Sequence, residues 1–175
     1  MRRLASILVL AVAALGAATV GGGCSRYSFS GASLPADLAS LAIAPVEIAA
    51  ATPVPTLGDD LARLLADRFV RQTRLRIDAD ETTADARLVA RLDTYRNDPT
   101  AVTGDDRATR NRVTLGVRVV LRYRDDARAP LLDRAFSAFA DYDPVAEGPD
   151  GEASAARTAL RAIADDAFTA ATSTW

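Results

Sequence analysis

The chain contains 175 residues, with 21 basic and 23 acidic side chains, no histidine and one cysteine, for a formal net charge of −2. Every basic residue is an arginine, since the sequence contains no lysine. These absences exclude imidazole general bases, Ser-His and Ser-Lys nucleophiles and Schiff-base lysines. One cysteine without histidine leaves a tetrahedral zinc site almost no ligands, and the weakly acidic chain is not typical of a nucleic-acid-binding protein. Only carboxylate chemistry and the binding of hard cations remain open after these exclusions.

The first 23 residues have the pattern of a secretory signal peptide. Two arginines follow Met1, residues 4–20 are uncharged and largely apolar, and glycines occupy positions 21–23. A basic start, an apolar stretch and a small-residue exit are typical of a segment that is removed after export. A retained membrane-spanning segment is the alternative, but such a segment needs about 20 apolar residues.

Cys24, the sole cysteine, follows these glycines immediately. This arrangement resembles the bacterial lipobox, although Gly21 stands where the lipobox usually has leucine. The resemblance implies that Cys24 receives fatty acyl chains such as palmitate, becomes the new N-terminus and anchors a tether over residues 24–35. Ser25, in place of the aspartate that marks inner-membrane retention, favours the periplasmic face of the outer membrane. A chance cysteine beside an ordinary cleavage site is the alternative.

The remaining chain, residues 36–175, alternates between strand and helix patterns. An apolar strand is expected over residues 41–46, and a short strand over 75–78. Between them, Thr56 is expected to cap a helix with one apolar stripe, formed by Leu57, Leu61, Leu64, Leu65 and Phe69.

Three longer strands and a second helix are expected in the C-terminal half. Residues 86–95 have the alternating pattern of a half-buried strand, in which Thr94 lies on the same face as Ala86. Residues 97–111 are interpreted as a polar loop. Alternating strands follow over residues 113–124 and 132–142, and the final helix over 152–171. The pattern predicts an α+β two-layer sandwich, in which a largely antiparallel four-stranded sheet is packed by two helices.

Carboxylate motifs in the sequence do not have the spacing of a catalytic or metal site. Adjacent aspartate pairs such as Asp59-Asp60 and Asp165-Asp166 point apart on a helix. A loop that begins at Asp141 places Val145 and Ala146 where a calcium-binding EF-hand needs an oxygen ligand and a glycine. We therefore predict no catalytic residues and no metal ligands.

The arginines are the more informative set, because a guanidinium binds phosphate through two parallel hydrogen bonds. The pattern groups them at one loop end and on the polar faces of two neighbouring strands. The candidates for binding an anionic glycolipid are Arg107, Arg110, Arg112, Arg118, Arg122, Arg124, Arg87 and Arg91. The alternative is an ordinary solvated sheet face whose arginines pair with aspartates.

The start of the mature chain resembles that of the LptE family of lipopolysaccharide-assembly lipoproteins. In that family the cysteine is followed by Tyr-x-Phe, a glycine and a proline. The corresponding residues here are Cys24, Tyr27, Phe29, Gly31 and Pro35. The strand at 41–43, the helix at 57–69, the strands at 84–95 and 113–123, and the final helix ending at Trp175 extend the resemblance over most of the mature chain.

The resemblance implies an outer-membrane lipoprotein, not an enzyme and without a cofactor, that plugs the LptD β-barrel, supports its assembly and helps to deliver lipopolysaccharide to the outer leaflet. Its partners would be an LptD-like barrel, lipopolysaccharide and the membrane through its acyl chains. The alternative is a periplasmic lipoprotein module that activates a cell-wall synthase or serves an ABC exporter as an accessory subunit.

Overall fold

The computed structural model describes residues 34–102 and 108–173, so the predicted signal peptide, Cys24, Arg107 and Trp175 lie outside the described residues. Its elements are β1 (Ser40–Ile43), β2 (Glu47–Ile48), α1 (Leu57–Gln72), β3 (Arg76–Ile77), β4 (Ala86–Val102), β5 (Ala108–Tyr123), β6 (Leu132–Tyr142) and α2 (Gly148–Thr172). Within the described ranges, no helix is both long and apolar enough to cross a membrane.

The sheet is mixed and has six strands, in the order β3-β1-β4-β5-β6, with β2 paired to β4. The expected α+β class is confirmed, whereas the prediction of a largely antiparallel four-stranded sheet is wrong. β1 runs parallel to both β3 and β4, and β2 runs parallel to β4. Parallel pairing follows from the connection, because a strand that returns to the sheet through helix α1 re-enters in the same direction.

The β4–β5 hairpin is longer than the sequence suggested. Residues 97–111 were expected to form a loop, but Asn97 pairs with Val113 and Asp98 with Arg112, so both strands continue toward the hairpin end. Pro99 is accommodated beside an irregularity in the register between residues 99 and 101. Cross-strand pairing therefore outweighs the polar composition of this segment.

A bulge at Asp93 reverses the alternation of β4. Leu92 pairs with Val117 and Thr94 with Gly116, so one extra residue lies between two consecutive pairs. Tyr95 consequently faces the helices and Thr94 faces the other side, the reverse of the expected pattern. Gly116 suits this place because an added Cβ would lie 3.0 Å from the Cβ of Thr94.

Both helices pack on the same face of the sheet and enclose the core. The α1 stripe is buried at Leu57, Leu61, Leu65 and Phe69, and the ring of Phe69 meets that of Phe168 from α2 edge to face, with centroids 5.3 Å apart. Leu34, within the segment expected to be a tether, is also buried in this core.

The helix ends differ in detail from expectation. The hydroxyl of Thr56 makes no capping bond to the backbone and instead donates to the Asp60 carboxylate at 3.0 Å. Helix α2 begins at Gly148, earlier than expected, with a proline in its first turn, where the missing N–H costs nothing.

Candidate functional site

The face of the sheet opposite the helices carries most of the candidate arginines. On β4 the residues Ala86 and Leu88 point into the core, so Arg87 and Arg91 point to the open side. On β5 the buried positions likewise alternate with Arg118 and Arg122, and Arg124 directly follows the strand. The two strands are neighbours, so the sheet brings these five side chains onto one surface, which we call the arginine face.

Two arginine pairs lie directly opposite each other across β4 and β5. The register pairs Arg87 with Arg122 and Arg91 with Arg118. Directly opposed side chains have Cβ atoms only about 5 Å apart, and like charges at such positions destabilise a sheet. Carboxylates close to such a pair reduce this repulsion, so the acidic partners of each pair determine how much of it remains.

The Arg91–Arg118 pair is neutralised by the protein itself. The Arg91 guanidinium lies 2.8 Å from the Asp93 carboxylate and 3.7 Å from that of Glu47. Arg118 lies 2.6 Å from the carboxylate of Asp133 on β6. Three carboxylates thus surround two guanidinium groups, which fits the solvated, paired face that the sequence left open as an alternative.

The Arg87–Arg122 pair has fewer acidic partners and borders a cleft. Arg87 lies 3.0 Å from Glu81, in the loop before β4. No acidic side chain of residues 34–102 or 108–173 pairs with Arg122. Together with Arg124, these two arginines line a cleft of about 490 Å³ on the arginine face.

Arg124 is held in place by the backbone of the loop before β4. Its Nη1 donates to the carbonyl oxygen of Thr83 at 2.9 Å, and its own N–H donates to the carbonyl oxygen of Asp85 at 2.9 Å. The first of these contacts uses one nitrogen of the guanidinium, and Arg124 also lines the cleft. The arrangement can accept a phosphate or carboxylate group between fixed cationic side chains.

Arg110 and Arg112 lie toward the opposite end of the sheet. Arg112 makes a bidentate pair with Asp141 at 2.7 and 3.0 Å and stacks 3.9 Å over the ring of Phe139. The hydrogen bond raises the pKa of Arg112 and lowers the pKa of the Asp141 carboxyl. Arg110 is exposed. Ten residues of strand, about 33 Å, separate Arg112 from Arg122, so the structure divides the candidates into two distant groups.

Several residues of the cleft were missed by the sequence analysis. Glu81 and Thr82 precede β4, and Val89 and Val120, which pair across the strands, form an apolar part of the cleft lining. The alternation of β4 and β5 gave their faces, but only the register shows which residues lie opposite each other. Among the described residues, which include the loop after Asp141, no group of three or more Asp, Glu, Cys or His is placed to hold a metal ion.

Comparison with known proteins gives one family match. The model of the LptE family, described as lipopolysaccharide-assembly, matches residues 38–171. The match covers every strand and nearly all of both helices of the described structure. A search of curated proteins finds no significant match.

Solved structures with a similar fold include two bacterial proteins. A protein from Xanthomonas campestris has a TM-score of 0.54 at 14% identity, over 78% of this chain and 87% of that one. A hypothetical protein from Chlamydia trachomatis has a TM-score of 0.52 at 10% identity, over 78% of this chain and 99% of that one. At these identities the likeness describes the fold alone.

Proposed function

The chain belongs to the LptE family of lipopolysaccharide-assembly proteins, and we propose that it is a lipoprotein that occupies the lumen of an LptD-type β-barrel in the outer membrane. In this role it assists assembly of the barrel and helps to deliver lipopolysaccharide to the outer leaflet. The observation that carries the proposal is the family match over residues 38–171, which spans the folded domain.

The arginine face supports contact with an anionic glycolipid. Arginine is suited to phosphate groups because its donors form a rigid fork that matches two phosphate oxygens. Arg87, Arg122 and Arg124 combine this chemistry with an open cleft. The absence of histidine and lysine from the whole sequence favours a binding role over an enzymatic one.

Membrane attachment through Cys24 completes the proposal. Each buried CH₂ of an acyl chain contributes about 0.8 kcal/mol to membrane binding, and stable anchoring takes at least two signals or chains. Acylation of Cys24 would supply them and would remove a free thiol from an oxidising compartment. The anchor would hold the domain at the periplasmic face of the outer membrane.

Affinity purification of the full-length protein from its native outer membrane, followed by mass spectrometry, tests the proposal. We expect a large β-barrel protein in the eluate and a diacylglyceryl group on Cys24. The matched control is Cys24→Ser, which should be found in the soluble periplasmic fraction. Recovery of a cell-wall synthase or an ABC exporter in place of the barrel would overturn the proposal and favour the alternative lipoprotein roles.

A further inference from the structure

Strand β6 forms an open edge of the sheet. Its 11 residues, Leu132–Tyr142, pair with β5 without interruption, and no strand of residues 34–102 or 108–173 pairs with its outer side. Residues 135–140 of this strand include no charged side chain and no proline. Such an edge presents a row of unpaired backbone N–H and C=O groups to which another strand can bind.

The outer side of β4 beyond Leu92 is a second open edge, and it is protected. No strand of the described ranges pairs with it there. It has the bulge at Asp93, two charged side chains, Arg96 and Asp98, and Pro99. Bulges, charges and prolines prevent edge-to-edge pairing. Residues 135–140 of β6, all of them described, have none of these features, so this edge is open to a partner strand.

The side chains of β6 complement those of a second β6 that runs antiparallel to it. Pairing over the full length of both strands centres on Ser137. It places Phe136 opposite Ala138 of the second copy, and Phe139 opposite Ala135 of the second copy. Each aromatic ring therefore faces a methyl group, and no two large side chains compete for one position.

The charged ends of the strand are compatible with this pairing. Asp133 would lie opposite Asp141 of the second copy, and like charges in direct opposition cost stability. Asp133 already forms an ion pair with Arg118, and Asp141 forms one with Arg112. The two carboxylates are therefore largely neutralised before the strands meet.

Phe139 is an exposed aromatic side chain that the pairing would cover. It is 56% exposed and lies on the open face of the sheet, next to Thr114 of β5. Ala135, which it would face on the second copy, borders a groove of about 390 Å³ whose lining also includes Gly116 and Ser137. These small residues leave room for the ring.

We infer that β6 is the interface of a symmetric dimer, which the protein forms while it is free of a barrel. A second copy supplies an unpaired strand of equal length, whereas a closed barrel has no edge strands to offer. The contact uses the same surface on both copies, so the assembly closes at two chains. The inference goes beyond the proposed function and does not rest on it.

Cysteine substitutions test the register of this dimer. The two copies of Ser137 would lie directly opposite each other with Cα atoms about 4.5–5.5 Å apart, which suits a disulfide. We expect the full-length Ser137→Cys variant, purified in detergent and mildly oxidised, to form a covalent dimer. Ala135→Cys is the matched control, because its two copies would lie about 14 Å apart along the strands. The wild-type protein, whose sole cysteine is Cys24, gives the background.

A charge at the centre of the interface tests the affinity. Ser137→Glu would place two carboxylates in direct opposition, so we expect the dimer to dissociate about fivefold more readily. Added sodium chloride should reduce this loss. Ser137→Gln, which is of similar size but uncharged, should stay within twofold of the wild-type protein. Sedimentation velocity over a dilution series measures the dissociation constants, and equal circular dichroism spectra establish that both variants are folded.

The results that would overturn the inference are distinct. One is a purified wild-type protein that stays monomeric at every concentration, and another is an equal disulfide yield in Ser137→Cys and Ala135→Cys. A third is a Ser137→Cys variant that, in native outer membranes, becomes linked to a different protein and never to itself, which would assign β6 to that partner. A barrel that co-purifies with a protein unable to dimerise would reject the dimer and leave the proposed function standing.

Discussion

Arg87 and Arg122 lie directly opposite each other on neighbouring antiparallel strands, and only Arg87 has an acidic partner among the described residues. A fold selected for stability alone would place opposite charges here. The pair therefore carries a repulsion that the ion pair between Arg87 and Glu81 offsets only in part.

Neutralising one member of this pair should stabilise the protein in the absence of ligand. We expect Arg122→Gln to raise the free energy of unfolding by about 0.5 kcal/mol at low ionic strength. Added sodium chloride should remove the gain, because salt screens the repulsion between exposed charges. Urea titrations at two salt concentrations measure the effect. Arg118→Gln is the control and should give no gain, because it also removes the Asp133 ion pair.

We expect the contact between Phe69 and Phe168 to contribute strongly to the packing of the two helices. Phe69 is fully buried, and truncation of such a ring leaves a cavity that costs about 3–5 kcal/mol. We expect Phe69→Ala to lower the unfolding free energy by that amount in urea titrations. The adjacent Val70 is 44% exposed, so Val70→Ala should change it by less than about 0.5 kcal/mol. Similar losses in both variants would contradict the packing described here.

The hydrogen bond between Tyr95 and Glu152 connects β4 to helix α2, and we expect it to stabilise the fold. The phenol donates to the Glu152 carboxylate at 2.6 Å, and burial together with this carboxylate raises the pKa of Tyr95 above its ordinary value. A hydrogen bond to a charged group contributes about 1.5–3 kcal/mol, so we expect Tyr95→Phe to lower the unfolding free energy within that range. A double-mutant cycle with Glu152→Gln measures the coupling, and additive effects would contradict a direct bond.

The Asp85 carboxylate should contribute stability that depends on pH. One of its oxygens accepts hydrogen bonds from the backbone N–H groups of Ala39 and Ser40 and from the Ser40 hydroxyl, each at 3.0 Å. The backbone bond from Ala39 is the largest cause that lowers the pKa of Asp85 below its ordinary value of 3.8. Because the folded-state pKa is the lower one, the stabilisation is complete above pH 3.8 and is lost as the pH falls through the folded-state value.

Replacement of Asp85 by asparagine tests this relationship. The variant should be less stable than the wild-type protein near neutral pH, and the difference should shrink as the pH falls below 3.8. Thermal midpoints of both proteins across this range measure it. Taking the difference between the two proteins cancels the similar pH dependence of Asp37 and Asp141, whose pKa values are also lowered. A constant difference at every pH would contradict the assignment.

Local periodicity predicted the long elements because each of them buries one face. The stripe from Leu57 to Phe69 predicted α1, and the alternation around Val113 predicted β5. The two-residue strand β2 carries no such signal: both of its residues are exposed, and only its pairing with β4 defines it. The bulge at Asp93 escaped prediction for the same reason, since an extra residue becomes visible only against the partner strand.

The sequence predicted which face of the sheet carries the arginines, but it did not predict that three of them line a cleft. Alternation placed Arg87 and Arg91 on one side of β4 and Arg118, Arg122 and Arg124 on one side of β5. Which arginines oppose each other, and which carboxylates reach them, depends on register and on the loop that carries Glu81. The role of these arginines in lipopolysaccharide binding stays a prediction.

Depletion of the protein in its native cells, with newly synthesised lipopolysaccharide followed by pulse labelling, tests whether the protein acts in lipopolysaccharide assembly. We expect that labelled lipopolysaccharide stops reaching the cell surface and accumulates in inner-membrane fractions, and that plasmid-encoded wild-type protein restores its export. Lipopolysaccharide that reaches the surface at the normal rate in depleted cells would contradict the assignment of this protein to lipopolysaccharide assembly.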